Sequence, residues 1–270
     1  DTTDIVNEIH RIHGTSATAS AAAGRLATAA CIMGALMKNE TDRLELRING
    51  GGKIGTITTV ADYRGNVKCC MDNPFADLPL NSKGKLDVGG IVGTDGYLSV
   101  IRDLGMKEPY VGQIALQTGE IAEDLTYYFA TSEQVPSAVG LGVLVDVDGS
   151  VKQAGGFIIQ LMPFTPDEVV DALEKKISEI ASVTEMLEEG NTPEQILEII
   201  LGDFGLEITD TLPAAFQCDC SKERVSRAIS TLSKKDLDDI INDGEAIEVK
   251  CQFCNKAYHF EVDELKEMRK

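Results

Sequence analysis

Four cysteines near the C-terminus constrain the fold of this chain more than any other feature. Cys218 and Cys220 form a C-x-C pair, Cys251 and Cys254 form a C-x-x-C pair, and 30 residues separate the two pairs. Four thiolates complete the tetrahedral shell of a zinc ion, with each sulfur about 2.3 Å from the metal. A unit of about 50 residues buries little core, so metal binding can supply much of its folding free energy. The spacing therefore predicts one closed structural zinc site.

A catalytic zinc ion is the alternative for this part of the chain. His259-Phe260-Glu261 is similar to the H-x-E sequence of zinc deaminases, in which the glutamate transfers protons. In those enzymes H-x-E precedes P-C-x-x-C, whereas here it follows C-x-x-C and the proline is missing. Four cysteine ligands also leave no open position for water. We therefore expect His259 to pack on a hairpin rather than to bind the metal.

The two cysteine pairs differ in how readily each could close into a disulfide. Residues two apart in an extended chain have Cα atoms about 6.6–7.2 Å apart, whereas a disulfide prefers about 5.5–6 Å. Cys218 and Cys220 would need a bent backbone to pair with each other, but Cys251 and Cys254 can meet in a turn. The geometry predicts one pair that oxidises readily and one that first needs local unfolding, which suits a redox sensor with two inputs.

The chain is strongly acidic, with a formal net charge of −19 over 270 residues. Binding to phosphate backbones and anionic lipids depends on Lys and Arg, so this charge argues against nucleic acid and membrane partners. No apolar run is long enough for a membrane-spanning helix, and the Ala-rich stretch near residue 20 is too polar for a signal peptide. We expect a cytoplasmic protein, in which a count of seven cysteines indicates metal or redox chemistry rather than a disulfide scaffold.

The hydrophobic pattern divides the chain into three parts. Residues 15–38 are small or apolar on every side, which predicts a helix buried among other elements. Short strands dominate from residue 43 to 162, and one helix near Glu123–Gln134 interrupts them. The pattern predicts an α+β fold: a core domain over 1–163 with a mixed β-sheet, a helical linker over 164–217 and a zinc-binding domain over 218–270. The predicted strands are Arg43–Asn49, Ile54–Asp62, Asn66–Met71, Tyr97–Arg102, Tyr110–Gln117, Val139–Val147 and Val151–Met162, the last two joined by a hairpin turn at Asp148-Gly149.

The predicted linker combines apolar stripes with a high negative charge. Thr165 and Thr192 each begin a Thr-Pro sequence with an acid or amide at the third helical position, which predicts two capped helices. Between residues 165 and 217 there are 2 basic and 13 acidic residues, a net charge of −11. Self-repulsion at this density predicts marginal stability. The apolar residues at helical spacing are Val169, Leu173, Ile177, Ile180, Ile196, Leu197 and Ile200.

Two capped helices and a hairpin are predicted for the C-terminal unit. Ser221 and Ser233 are suitable N-cap residues, because a serine hydroxyl accepts a backbone N–H of the first helical turn. Residues 246–250 and 256–262 predict two short strands, and the turn between them carries the C-x-x-C pair.

The remaining reactive residues give little support to an enzyme. Cys31 and the adjacent Cys69-Cys70 are expected to be small hydrophobic residues, with the adjacent pair on opposite faces of a strand. His10 and His13 lie in a polar N-terminal stretch and are expected to be solvated. Gly50-Gly51-Gly52 lacks the Lys-Ser/Thr and helix of a P-loop and therefore predicts a turn. We expect no enzymatic activity, ATPase activity included.

Segments across most of the chain carry a family resemblance. They are Cys218-Asp219-Cys220-Ser221-Lys222-Glu223-Arg224, Cys251-Gln252-Phe253-Cys254, Gly93-Thr94-Asp95-Gly96, Ser132-Glu133-Gln134-Val135-Pro136-Ser137 and Gly155-Gly156-Phe157-Ile158-Ile159-Gln160-Leu161-Met162-Pro163. Together they resemble the heat-shock protein 33 family of redox-regulated bacterial chaperones. The resemblance implies a further N-terminal strand ahead of Asp1.

The same resemblance implies an ATP-independent holdase that is inactive while reduced and zinc-bound. Oxidant is implied to form the disulfides Cys218–Cys220 and Cys251–Cys254, release zinc, unfold the C-terminal unit and destabilise the linker. The active form is implied to be a homodimer that holds unfolding client proteins. The apolar linker residues from Val169 to Ile200 fit a role in client binding, because marginal packing permits their release and the negative charge keeps the complex soluble.

A passive zinc-stabilised interaction module is the other reading of this sequence. In such a module the cysteines only hold the fold, so oxidation should abolish function. In a redox-regulated chaperone, oxidant should instead release zinc and switch on the suppression of aggregation.

Overall fold

The computed structural model describes residues 1–269, and these form two units. The first unit is Asp1–Gln217, and the second begins at Cys218. The acidic segment 164–217 belongs to the first unit. Its separation from a core domain over 1–163 stays a prediction.

The Ala-rich helix predicted over residues 15–38 is α2 (Ala17–Ala35). Ser16 caps it, because its hydroxyl accepts the backbone N–H of Ala19 at 3.1 Å. Nearly all residues of α2 are buried, and the small ones allow close approach. A Cβ atom at Gly24 would lie 2.7 Å from Cγ1 of Val6. The prediction of a buried helix is confirmed.

A helix that the sequence pattern did not indicate, α1 (Thr3–His13), packs against α2. It buries three apolar residues. His10 and His13 are half-buried on it, and Nε2 of His13 lies 3.1 Å from the carbonyl oxygen of Cys69. The two histidines, expected to be solvated, are thus only partly so, because the polar residues of this stretch form the outer surface of an amphipathic helix.

A six-stranded sheet forms one wall of the first unit. Its strands are β1 (Arg43–Asn49), β2 (Ile57–Ala61), β3 (Asn66–Met71), β4 (Tyr97–Asp103), β5 (Tyr110–Ala115) and β8 (Ala215–Phe216). The spatial order is β5-β4-β1-β2-β3-β8, and all neighbours are antiparallel except β3 and β8, which are parallel. The prediction of a mixed sheet is confirmed. Alternate residues of β1 are buried and point to the side on which α2 lies.

The other wall is a two-stranded hairpin of β6 (Ser137–Val145) and β7 (Val151–Gln160). The predicted turn at Asp148-Gly149 is confirmed, with a φ of 89° at Gly149. Helix α3 (Val88–Val92) lies between β3 and β4 in the chain, and α4 (Ala122–Tyr128) continues into a π-helical turn at Phe129–Glu133. Since α2 contacts both the hairpin and the six-stranded sheet, the main core of the first unit surrounds α2.

The acidic segment contains α5 (Asp167–Glu179), α6 (Val183–Glu188), α7 (Pro193–Leu201) and a 3₁₀ turn at Gly202–Phe204. The capping box predicted at Thr192 is confirmed, since its hydroxyl accepts the N–H of Gln195 and the Gln195 side chain accepts the N–H of Thr192. The capping box predicted at Thr165 is wrong. Pro166 is the N-cap residue of α5, and the Thr165 hydroxyl donates to the carbonyl oxygen of Met162 at 2.7 Å.

One small apolar cluster, here called the linker cluster, holds these helices on the β6–β7 hairpin. Its buried residues are Val183, Met186, Leu187, Ile196 and Ile200, and Phe157, Ile159, Ile177, Ile180 and Leu201 pack at its edge. Helix α5 adds a single buried residue, Leu173. Because the hydrophobic contribution to stability follows the apolar area buried, the acidic segment is held less firmly than the elements around α2.

The second unit contains α8 (Lys222–Ile229), α9 (Lys234–Asn242), the hairpin of β9 (Ile247–Lys250) and β10 (Ala257–Phe260), and α10 (Val262–Met268). The predicted caps are confirmed, because Ser221 accepts the N–H of Arg224 and Ser233 accepts that of Asp236. Helix α10 was not predicted. The core of this unit is small and consists of Ile229, Leu237, Tyr258, Phe260 and Leu265.

Candidate metal centre

The C-x-x-C pair lies in the turn between β9 and β10. The N–H of Cys251 donates to the carbonyl oxygen of Lys256 at 3.0 Å, and the N–H of Asn255 donates to the carbonyl oxygen of Cys251 at 2.8 Å. Asn255 has a φ of 58°, in the left-handed region that asparagine tolerates better than most residues. These bonds close the turn and bring the sulfurs of Cys251 and Cys254 together.

The C-x-C pair lies just ahead of α8. Asp219, between the two cysteines, forms an ion pair with Arg224 in the first turn of that helix. Ser221, directly after Cys220, is the N-cap residue. Both interactions attach the short C-x-C segment to the start of a helix, and its two sulfurs meet those of the hairpin.

The four sulfur atoms lie within 4.8 Å of one another. The sulfurs of Cys218 and Cys251 are 3.7 Å apart, and those of Cys220 and Cys254 are 3.4 Å apart. A tetrahedral shell with metal–sulfur bonds of about 2.3 Å places its sulfurs about 3.8 Å apart. The donor set and its spacing therefore fit zinc. Within residues 1–269, no other group of three or more His, Cys, Asp or Glu side chains is gathered in this way.

Each of the two short sulfur contacts joins one cysteine of the first pair to one cysteine of the second. Both are far longer than the roughly 2.05 Å of a disulfide bond, and the seven cysteines are all free thiols in this structure. The geometry is that of a reduced site in which the hairpin pair and the C-x-C pair interlock.

The electrostatics of the site differ from one cysteine to the next. Burial acts to raise the pKa of Cys220, but hydrogen bonds from Tyr258 and the neighbouring sulfurs outweigh it and lower this pKa to about 7. The pKa of Cys218 is raised, mainly by burial. Four close sulfurs cannot all be anionic without a counter-ion, and a bound divalent cation removes this conflict, because a coordinating thiol is deprotonated. The donor chemistry thus also fits a metal.

His259 lies on β10 and is not part of the cysteine cluster. Its Nε2 is 3.4 Å from Oε2 of Glu248, the residue directly opposite on β9. The His259 side chain is 67% exposed, so its packing on the hairpin is limited to the edge formed with Glu248. This position gives no support to a histidine ligand or to a deaminase-like site.

The other three cysteines lie in the first unit. Cys31 is buried in α2, and burial raises its pKa to about 11. Cys69 is fully buried on β3, which also raises its pKa, whereas Cys70 is half-buried. The adjacent pair thus occupies two faces of one strand, as expected. Burial thus raises the pKa of Cys31 and Cys69, whereas the pKa of Cys220 is lowered.

Comparison with known proteins points to one family over nearly the whole chain. A family model described as Hsp33 protein matches residues 1–261. The chain belongs to the Hsp33 family. The resemblance inferred from the C-x-C and C-x-x-C motifs is confirmed.

Members of the Hsp33 family include close relatives of this chain. The 33 kDa chaperonin of Agathobacter rectalis is 67% identical over 98% of this chain and 92% of its own length. That of Lachnoclostridium phytofermentans is 55% identical over 98% of this chain and 91% of its own. The crystal structure of the 33 kDa chaperonin of Thermotoga maritima matches with a TM-score of 0.88 and 40% identity, covering 98% of this chain and 89% of that one. The predicted α+β fold is thereby confirmed as the Hsp33 fold.

The apolar linker residues considered for client binding are not equally accessible in this Hsp33 chain. Buried or half-buried are Leu173, Ile177, Ile180, Ile196, Leu197 and Ile200. Four of them, Ile177, Ile180, Ile196 and Ile200, belong to the linker cluster, whereas Val169 is 38% exposed. A role for these residues in client binding stays a prediction, and it would require the cluster to open.

Sequence reasoning did not identify Tyr258, whose hydroxyl donates a hydrogen bond to Sγ of Cys220 at 3.1 Å. Its position four residues after Cys254, on the strand that follows the metal-binding turn, was the available signal.

Within residues 1–269, no helix is both long enough and apolar enough to span a bilayer.

Proposed function

We propose that this chain is a redox-regulated, ATP-independent chaperone that holds unfolding proteins under oxidative stress. The observation that carries the proposal is the four-sulfur cluster in a chain of the Hsp33 family. The relatives named 33 kDa chaperonin support a chaperone role. We place the protein in the cytoplasm, where free thiols persist, with unfolded proteins as its partners and a homodimer as its oxidised form.

The metal of the reduced form is zinc in this proposal. Cys218, Cys220, Cys251 and Cys254 would hold one ion, which supplies folding free energy to the second unit and keeps the four sulfurs deprotonated. The five-residue core of that unit is small for independent stability. Loss of the shell would therefore unfold residues from Cys218 onward.

The switch is oxidation of the four thiolates to two disulfides by a peroxide. A thiolate attacks one peroxide oxygen, the O–O bond breaks, and a sulfenic acid and hydroxide form. The thiolate of the second cysteine then attacks this sulfur, and the S–O bond breaks to give a disulfide and a second hydroxide. Each pair thus loses two electrons to one peroxide. With Cys251–Cys254 and Cys218–Cys220 both closed, no thiolate donor remains in the shell.

The acidic segment transmits the change to client binding. Its helices rest on a cluster of five buried side chains, and its charge of −11 opposes compaction. When these helices loosen, the apolar faces of α5 and α7 become available to unfolding proteins. The negative charge keeps the resulting complex soluble.

The deciding experiment measures zinc and aggregation together. Reduced, zinc-loaded protein is treated with hydrogen peroxide, and released zinc is followed with a chromogenic chelator. The same samples are then added, without nucleotide, to a thermally unfolding test protein whose light scattering is recorded. We expect one zinc ion released per chain and scattering suppressed only after oxidation, with reversal by a thiol reductant. Zinc release with loss of all function would instead establish the passive zinc-stabilised module.

A further inference from the structure

Tyr258 connects the hydrophobic core of the second unit to the cysteine cluster. Its ring is buried and belongs to the same apolar cluster as Phe260 and Leu265. Its hydroxyl donates to Sγ of Cys220 at 3.1 Å. Cys220 belongs to the C-x-C pair, whereas Tyr258 lies on the strand that follows the C-x-x-C turn. One hydrogen bond therefore links the two halves of the site.

A cation lies on the ring of the same tyrosine. Nζ of Lys256 is 5.3 Å from the centroid of the Tyr258 ring, within the range of a cation–π interaction. A positive charge over a phenol ring withdraws electron density and makes the hydroxyl a stronger hydrogen-bond donor. Lys256, Tyr258 and Cys220 thus form a chain in which the lysine strengthens the bond to the sulfur.

We propose that Tyr258 is a positioning residue of the metal centre: its hydroxyl fixes the Cys220 sulfur in the shell and slows the attack of this sulfur on oxidants. The proposal rests on the function proposed above. A sulfur that shares electron density with an O–H donor is a weaker nucleophile, and groups that hydrogen-bond to metal ligands orient them. The step that is slowed is the attack of the Cys220 thiolate on a peroxide, which gives a sulfenic acid and hydroxide.

The first test is Tyr258→Phe, which removes the hydroxyl and keeps the ring in the core. Loss of a group that hydrogen-bonds to a metal ligand typically weakens metal binding about 10- to 100-fold, so we expect zinc affinity, measured by chelator competition, to fall at least about tenfold. In the zinc-loaded variant, iodoacetamide should also alkylate Cys220 faster than in the wild type, as measured by mass mapping. Alkylation of Cys251 should change less, because no hydroxyl within residues 1–269 donates to that sulfur.

Two lysine variants test the role of the cation. Lys256→Met removes the charge over the ring, and a cation–π interaction of ordinary strength corresponds to about a two- to fivefold change. The matched control is Lys250→Met, on the neighbouring strand of the same hairpin, where Nζ lies 3.4 Å from Glu248 instead. We expect Lys256→Met to accelerate Cys220 alkylation and Lys250→Met to leave it unchanged. In the Tyr258→Phe background, Lys256→Met should have no further effect.

The outcomes separate this inference from the function on which it rests. If the wild type binds zinc and responds to peroxide while Tyr258→Phe matches it in zinc affinity and Cys220 alkylation, Tyr258 has no positioning role. If Tyr258→Phe accelerates alkylation of all four cysteines equally, its effect is general loosening of the fold, and the inference is also overturned. If the wild type itself neither binds zinc nor responds to peroxide, the proposed function fails first.

Discussion

Gly142 and Gly155 lie directly opposite each other on β6 and β7, and helix α6 covers the bare patch that they leave. A Cβ atom at Gly142 would lie 2.8 Å from Cγ2 of Thr184, and one at Gly155 would lie 2.9 Å from Cδ1 of Leu187. Residues opposite each other in an antiparallel pair project to the same face. The two glycines therefore make a flat surface on which α6 can lie against the backbone of the hairpin.

We expect Gly142→Ala to loosen α6 in the reduced protein. Inserting a methyl group into a packed contact costs about 1–3 kcal/mol, a large share of what the small linker cluster can supply. Hydrogen exchange of reduced, zinc-loaded protein should show faster exchange in α6, together with partial suppression of aggregation without oxidant.

The matched control is the double variant Gly142→Ala/Thr184→Ser. It removes the Cγ2 atom that the new methyl group would meet, so it should restore slow exchange and low activity. A single variant that behaves like the wild type would show that α6 does not depend on the glycine pair.

Cys251 and Cys254 should oxidise before Cys218 and Cys220. The hairpin turn already holds Cys251 and Cys254 close through the N–H of Asn255, whereas Cys218 and Cys220 are only two residues apart in a segment attached to the start of α8. Mass mapping after limiting peroxide should detect the Cys251–Cys254 disulfide alone. In Cys251→Ser/Cys254→Ser, two of the four ligands are lost and the second unit should unfold, so the C-x-C pair should close faster than in the wild type at the same peroxide concentration. Early appearance of a C-x-C disulfide would contradict the geometric argument.

Residues 169–201 should lose protection from hydrogen exchange on oxidation while the strands between residues 97 and 162 keep theirs. Exchange reports local opening free energies, and the acidic segment has the smaller core and the higher charge. Added salt should slow the exchange of this segment, because screening reduces the repulsion among its carboxylates. Equal protection of both regions in oxidised protein that still suppresses aggregation would place client binding elsewhere in the chain.

Cys31 and Cys69 should resist alkylation in the native protein at pH 8. Burial raises the pKa of both, to about 11 for Cys31, so only about one Cys31 thiol in a thousand is ionised at that pH. The pKa of Cys31 is higher in the folded than in the unfolded protein. Its neutral thiol therefore contributes fully to stability below about pH 9, and this contribution is lost as the pH rises from about 9 to 11. Iodoacetamide labelling with mass mapping should find Cys70, on the half-buried side of the same strand, labelled before Cys69. Denatured protein should be labelled at all seven. Rapid labelling of Cys69 at pH 8 would show that β3 opens readily.

The metal site could be predicted because its ligands lie in two short sequence motifs. Cys251 and Cys254 are brought together by a short turn, and the chemistry of four thiolates admits few alternatives. Strands β1 and β3 were predicted at their observed limits because alternate side chains of a strand point to opposite faces, so the sequence pattern and the burial pattern match. The buried α2 followed equally well from its composition of small residues.

The features that the sequence did not predict correctly depend on contacts that its local pattern does not show. Strand β8 is two residues long and exists only because β3 offers it an unpaired edge. The capping box at Thr165 fails because the chain leaves β7 through a turn in which that hydroxyl already donates to Met162. The bond from Tyr258 to Cys220 requires the position of a strand relative to a segment 38 residues earlier, and spacing along the chain does not reveal it.

Strand β8 also determines whether the acidic segment forms a loop or a free tail once its helices unfold. The N–H groups of Ala215 and Gln217 donate to the carbonyl oxygens of Gly65 and Val67, and the other end of the segment leaves directly from β7. The segment is therefore tethered at both ends and would open into a closed loop rather than a free tail. The entropic cost of closing a loop grows only with the logarithm of its length, and both anchors stay in place. Its apolar faces would remain at high local concentration over the hairpin they left, so re-docking after reduction would not have to wait for a diffusive search.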